Sequence, residues 1–296
     1  MYNDIYSFRD AIRYNGLEPP ELIEPGTLHR FPGNGKCESN RAGWCLLFKD
    51  GLAGCFGDWS TGLYCKWFSN KDVRGISPQA QAAISRDIAA ARREAELSRR
   101  QRYAEAAVRA SSLWNAAPVA PGQHSYLLAK GIGPHNARLH KACLMLPVTA
   151  MDGHITSLQF IAPDGNKRLL SGGRKQGCFI AVAGDEENVQ RIIICEGWAT
   201  GCTLAECDPS ALVLAAIDAG NMGRVALDAR RRWSSMEMVI AGDDDRQTPG
   251  NPGATKAKAA AIASGALLAL PQWPDDAPEH LTDFNDLAIW LAGSRR

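Results

Sequence analysis

Along the last third of the chain, short unbroken apolar runs alternate with longer segments in which apolar residues recur every three or four positions. Residues 192–195 and 211–216 are runs of the first kind, as is 236–241 apart from Glu237; segments near 199–207, 222–232 and 253–265 are of the second. Apolar runs this short fit strands buried on both faces, so the order predicts an α/β unit on a parallel sheet, closed by a short strand near 267–270. Upstream, residues 144–148, 155–161 and 167–170 read as strands joined by turns at Asp152-Gly153 and Asp164-Gly165. Ser125 to Lys130 reads as a short helix closed by Gly131. The stretch from Gln79 to Trp114, rich in Ala, Arg, Glu and Gln, predicts one long helix or two in succession, with Ser77 as N-cap and Pro78 in the first turn. Its arginines, several answered by nearby acids, read first as a solvated surface and second as a nucleic-acid contact. Before it, residues 43–48 and 53–59 alternate around Asp50-Gly51, a hairpin signature, and predict a small antiparallel β domain. The expected organisation is a β-rich domain over 1–76, a helical linker over 77–117, a basic subdomain over 118–184 and an α/β domain over 185–296.

Two of the apolar runs end in acids. Ile192-Ile193-Ile194-Cys195 runs into Glu196-Gly197, and 236–241 runs into Gly242-Asp243-Asp244-Asp245. Ligands of open α/β sheets bind at the carboxyl ends of the strands, so Glu196, Asp243 and Asp245 are expected to converge on one crevice. Alternate residues of an extended segment point the same way, which turns Asp244 aside and makes it dispensable for metal binding. Three clustered carboxylates call for a cation, and hard oxygen ligands suit Mg²⁺ or Mn²⁺. A carboxylate-held Mg²⁺ points to nucleotidyl or phosphodiester chemistry.

Around this core, Gly197 is expected to permit a tight strand-to-helix turn, and Gly201 to let the next helix pack closely on the sheet. Asn251-Pro252-Gly253 opens a helix whose free N–H groups could receive a phosphate, with Lys256 and Lys258 in its first turns. At Thr282-Asp283-Phe284-Asn285-Asp286-Leu287, either Asp283 or Asp286 completes a metal shell, or these acids cap the last helix. The segment from Lys167 to Gly177 holds four cations (Lys167, Arg168, Arg174, Lys175) and three glycines in eleven residues, a composition suited to a phosphate backbone.

The charge distribution sharpens this picture. The 296-residue chain has a formal net charge of +1, but residues 120–184 carry 7 Lys+Arg against 2 Asp+Glu, whereas 185–296 carry 10 against 17. A basic middle beside an acidic end fits a nucleic-acid track next to a metal pocket. No apolar run is long enough to span a bilayer, and the N-terminus lacks a signal peptide's apolar core, so a cytoplasmic protein without membrane contact is expected. The nine cysteines show no ligand pairs two to four residues apart, even around Cys37, Cys45, Cys55, Cys65 and His29, so zinc is not expected. No P-loop lysine motif is present, and a helicase motor is not expected in this chain.

Four short motifs together carry a resemblance. Glu196 to Gly201 (Glu-Gly-Trp-Ala-Thr-Gly), Asp218 to Asn221 (Asp-Ala-Gly-Asn), Asp243 to Asp245 and Asp283 to Asp286 resemble the TOPRIM domain of DnaG-type primases, and above all the primases of phages and plasmids. Tyr126-Leu127, Lys130-Gly131-Ile132, Leu146-Pro147-Val148 and Lys167 to Gly177 look like the basic subdomain that precedes TOPRIM and holds template and primer. Arg41 to Trp59 is similar to the N-terminal region of these mobile-element proteins. The resemblance implies an α+β multidomain chain: a C-terminal TOPRIM α/β domain with a central parallel sheet, a basic α+β subdomain, a helical linker and a small N-terminal β-rich domain. It implies Glu196 as general base or metal-organising acid and Asp243 and Asp245 as Mg²⁺ ligands. Lys130, Lys167, Arg168, Arg174, Lys175, Asn221 and Lys256 are then expected to contact nucleic acid or nucleotide. The implied activity is synthesis of short primers from NTPs on single-stranded DNA, with any replicative helicase a separate partner. Two rivals are a metal-dependent nuclease using the same acids, and a non-catalytic single-strand-binding module of a replication complex.

Overall fold

A computed structural model describes residues 2–49, 51–69 and 78–294. Two compact units result, Met1–Arg93 and Glu94–Arg296. Among the described residues, no helix is long and apolar enough to cross a membrane. Ser77 and Asp50, expected as a helix cap and a hairpin residue, lie outside the described residues.

The first unit is a four-stranded antiparallel meander of β1 (Leu28–Phe31), β2 (Gly43–Leu47), β3 (Ala53–Asp58) and β4 (Leu63–Phe68), in that spatial order. Leu47 pairs with Gly54 across the expected hairpin. Alternation sends Phe31, Cys45, Leu47, Phe56 and Trp67 to one face, and α1 (Tyr2–Tyr14) covers that face with Phe8 and Ile12. This helix is missing from the β-rich expectation for 1–76. Its signal is short: Ile5, Phe8 and Ile12 recur at helical spacing, but polar neighbours and the absence of a capping motif obscure it.

The second unit begins with the latter part of α2 (Pro78–Ala116), one continuous helix, whose Ala110, Leu113 and Trp114 pack on Met145, Leu158 and Phe160. α3 (Ser125–Lys130) ends at Gly131, whose left-handed conformation (φ 61°) closes the helix as its composition suggests. β5 (Arg138–His140), β6 (Cys143–Thr149), β7 (Ile155–Ile161) and β8 (Lys167–Leu169) form an antiparallel sheet in sequence order.

Five strands then build the sheet that carries the acids. β9 (Ile180–Ala183) is its antiparallel edge; β10 (Arg191–Cys195), β11 (Ala211–Ala215), β12 (Glu237–Ala241) and β13 (Leu267–Ala269) are parallel, in the order β13-β12-β10-β11-β9. α4 (Trp198–Cys207) packs Trp198, Ala199 and Cys202 on one face. α5 (Ala219–Arg232) and α6 (Pro252–Ser264) pack Met222, Val225, Ala257 and Ala261 on the other. α7 (Phe284–Ser294) follows. The chain leaves β10 towards β11 on one side and returns as β12 on the other, so β10 and β12 flank a topological switch point.

Packing at that point is tight. A Cβ on Gly201 would lie 2.8 Å from Val182 Cγ2 and 3.1 Å from Cys195 Sγ, in keeping with its expected role in seating α4. A Cβ on Gly242 would lie 2.4 Å from that of Ala257. Gly242→Ala should therefore cost about 1–3 kcal/mol by overpacking, lowering the urea midpoint, and Ala257→Gly in the same chain should recover part of it.

Asn221 joins the α/β sheet to the basic loop. It is 4% exposed, and its Nδ2 donates to the carbonyls of Ala216 (2.9 Å), Cys178 (2.8 Å) and Lys175 (3.2 Å), while its Oδ1 accepts from Gly177 N–H (2.9 Å). Truncating it leaves several buried backbone groups unpaired, at about 1–3 kcal/mol for each unsatisfied group. Asn221→Ala is expected to lower the thermal midpoint and to open the 174–178 segment to limited proteolysis.

Candidate active site

Cys195 and Ala241 are register partners on adjacent strands, so Glu196 and the Asp243–Asp245 segment leave the sheet side by side. Asp243 is the most constrained of the acids. Its Oδ1 is buried and has no hydrogen-bond partner among the described residues. Burial, then the charges of Glu196, Asp283 and Asp245, push its carboxyl up to about 8, while Lys167 pulls the other way. Burial also raises the Glu196 pKa, and Asp245 and Asp218 raise it further; a hydrogen bond from Ala219 N–H and the charge of Lys256 oppose them. Asp245 accepts from Gly253 N–H at 2.8 Å, at the positive end of α6. Asp244 turns aside as expected, but it has a task of its own. It accepts from Trp273 Nε1 (2.9 Å) and Asn251 Nδ2 (2.6 Å) and so braces the loop that carries its neighbours.

The 282–287 segment is held by protein donors. Asp283 accepts from the Thr200 hydroxyl at 3.1 Å and caps α7 through Asp286 N–H at 2.8 Å. Asp286 accepts from Thr282 N–H at 3.2 Å and pairs with Lys130 at 3.3 Å. Both acids thus serve the capping alternative, and Asp283 reaches the site mainly as a charge felt by Asp243. Asn285 is buried and donates to the Lys130 carbonyl (2.7 Å) and Thr203 Oγ1 (2.9 Å), tying α7 to α3 and α4.

The basic residues divide into three groups. Lys167 is exposed along its stem, yet its Nζ lies 3.9 Å from where a Cβ on Gly197 would be. Burial of that ammonium and the charge of Lys130 lower its pKa, while Asp283, Asp243 and Glu196 raise it. Lys256 is exposed on α6 and near enough to Glu196 to favour its charged form. Arg168 lies over the Phe160 ring at 5.1 Å, and Arg174 lines an open groove of about 1080 Å³ with Arg99, Arg100, Arg224 and Arg231. Lys130, Lys175 and Asn221 are engaged within the protein: Lys130 with Asp286, Lys175 with Asp218, Asn221 with backbone alone. For Asn221 this corrects the expectation of a ligand contact, because a side chain this buried with every polar atom used has nothing left to offer.

Gly197 also differs from expectation. Its φ of −102° and ψ of 153° are open to any residue, so the turn itself needs no glycine. What the missing side chain leaves is space beside the Lys167 ammonium. The strained residue is Ile217, a β-branched side chain at φ +78°. It precedes Asp218, which caps α5 by accepting from Asn221 N–H at 3.0 Å, and Ala219, whose N–H meets Glu196. Sequence inspection missed Ile217, and it quoted Thr200 and Ala219 within two motifs without giving either a role; Ile217 and Ala219 act through backbone geometry, which leaves no compositional trace.

Among the described residues, no three His, Cys, Asp or Glu side chains already stand close enough together to hold a metal ion. In the first unit, Cys45 and Cys65 belong to the helix-covered face, Cys55 alternates to the other, and Cys37 is exposed. At the switch point, by contrast, an unpartnered buried carboxylate oxygen with further acids around it fits a hard divalent cation.

The Toprim domain family model matches residues 191–290. The chain is 33% identical over 264 residues to a DNA primase TraC of Escherichia coli, covering 84% of this chain and 24% of that protein. A second DNA primase TraC of Escherichia coli is 31% identical over 282 residues, covering 89% and 19%. The chain thus spans a quarter or less of the length of these relatives. A distant likeness (TM-score 0.39, 13% identity, 88% of this chain and 94% of that one) relates it to the primase fragment of the bacteriophage T7 primase-helicase protein. Residues 191–290 thus form a Toprim domain, in a chain similar in sequence to DNA primase TraC.

Proposed function

We propose that the chain is a DNA primase of the mobile-element type, a nucleotidyltransferase that makes short primers from NTPs on single-stranded DNA during replication. The observation that carries this reading is the buried, unpartnered Asp243 Oδ1 beside Glu196, at the end of a parallel sheet in a Toprim domain. Glu196, Asp243 and Asp245 would hold Mg²⁺ or Mn²⁺, which when bound supplies positive charge to a reacting phosphate. Asp283 and Asp286 support the site from their capping positions, with Asp283 adding negative charge.

The chain's own groups would do the rest. Burial makes Glu196 a better proton acceptor, suited to take the proton of a primer 3′-hydroxyl, and Ala219 N–H fixes its orientation. Lys167 brings its ammonium beside the open space at Gly197, where it would neutralise an incoming triphosphate, and Lys256 would assist from α6. Arg168 and Arg174 would grip template backbone, while Lys175, paired with Asp218, would shape the loop between them. A replicative helicase would act as a separate partner.

Two outcomes are expected. Wild-type protein with labelled NTPs, single-stranded DNA and Mg²⁺ or Mn²⁺ should give short labelled products; Asp243→Ala, Glu196→Gln and Lys167→Ala should each lose roughly 100-fold or more. A wild type that shortens the DNA, or only binds it, overturns the assignment. In EDTA, Asp243→Asn should melt at the wild-type temperature or about 2–4 °C above it, since it relieves like-charge crowding. The same variant should lose the rise in melting temperature that Mn²⁺ gives the wild type.

A further inference from the structure

The first unit has a second sheet face, opposite the one α1 covers, and it is rich in rings and cations. Strand register places Arg30, Trp44, Gly57 and Tyr64 in one row across β1 to β4, and Leu28, Leu46, Cys55 and Lys66 in the next. Side chains in such rows share a face. The charged strand residues in these two rows are both cations, Arg30 and Lys66, and Arg41 lies near enough to Arg30 to lower its pKa.

The rings are arranged as a platform. Trp59 stacks on Trp44 with centroids 5.5 Å apart and planes 21° from parallel, and the Arg30 guanidinium lies 4.1 Å from the Trp59 ring. Tyr64 stands 5.9 Å from Trp44. A Cβ on Gly57 would lie 2.1 Å from the Leu63 carbonyl oxygen and 3.1 Å from the Trp44 ring, so the glycine keeps both the strand pairing and the ring in place. Burying Trp59 and Tyr64 in a core would be the ordinary fate of such residues, yet they are 53% and 48% exposed, with Phe68 on the same strand at 48%.

We propose that this face binds single-stranded nucleic acid, with unpaired bases stacking on Trp59 and Tyr64 and backbone phosphates meeting Arg30, Arg41 and Lys66. Every base offers a flat π-face, so exposed rings bordered by cations suit a strand of any sequence. A protein partner would call for complementary apolar relief; the ring planes and uniformly positive strand charges favour a polyanion with flat groups. The identification of that strand as template DNA rests on the primase reading, whereas the stacking face does not.

The test is binding of a fluorescein-labelled dT oligonucleotide to the full chain in EDTA, read by anisotropy over a salt series. Trp59→Ala and Tyr64→Ala should each weaken binding about five- to a hundred-fold, as loss of one stacked base does. Trp59→Phe should recover most of the affinity with an unchanged melting temperature. Lys66→Ala should flatten the salt dependence by about 0.7 in log–log slope. If Trp59→Ala and Tyr64→Ala bind like wild type while primers are still made, the face is not a nucleic-acid site and the primase reading stands. If wild type makes no primers yet binds through Trp59, the primase reading falls and the face stands. If wild type does not bind the oligonucleotide, the proposal is overturned.

Discussion

Like charges gathered in a partly buried crevice are the constraint around which the Toprim unit is organised. Parallel strands buried on both faces must end together at the switch point, and here those ends carry Glu196 and Asp243. Neither carboxylate is well solvated: Glu196 raises the pKa of Asp243, and Asp245 and Asp218 raise that of Glu196. The neighbouring groups are correspondingly donors or cations: Ala219 N–H for Glu196, Gly253 N–H for Asp245, and the Lys167 ammonium for the group as a whole. Among the described residues Asp243 Oδ1 is a buried carboxylate oxygen left without a donor, so the compensation is incomplete at that atom.

The basic loop shows how polar groups can position as well as bind. Lys175 and Asn221 sit in the stretch and the motif that suggested ligand contact, yet both are used inside the protein, one on Asp218 and the other on four backbone groups. Arg174, one residue before Lys175, instead lines an open groove with other arginines. Successive residues of an extended loop point to opposite sides, so one short segment can dock on the α/β sheet and still present cations outward. Ile217 pays a conformational cost in the same neighbourhood, and what it delivers is the Ala219 N–H to Glu196.

The first unit solves a different problem. A four-stranded meander of this size cannot bury both faces, and α1 closes only one of them. The other face keeps large rings in water, with Trp59 stacked on Trp44 and Tyr64 tilted beside it.

Much of this was legible in the chain. Apolar runs of four to six residues, interrupted once at Glu237, marked the parallel strands, because burial on both faces forbids alternation; the acids at their ends, and Asp-Gly and Gly punctuation, followed from the same pattern. Helix α1 was hidden because its apolar stripe is short and uncapped, and its stability comes from Phe8 meeting Phe56 and Trp67 far along the chain. The strand over 180–183 was hidden as well: its membership of the Toprim sheet depends on pairing with β11, thirty residues away in sequence. Residue type singled out Glu196 and Asp243 as candidate site residues, since charge cannot be buried without a purpose or a partner, whereas Lys167 read as one cation of a phosphate-binding loop. Which cations remain free, which acids only cap a helix, and which ordinary isoleucine bends the backbone depended on who meets whom in space, and a one-dimensional pattern carries no distances.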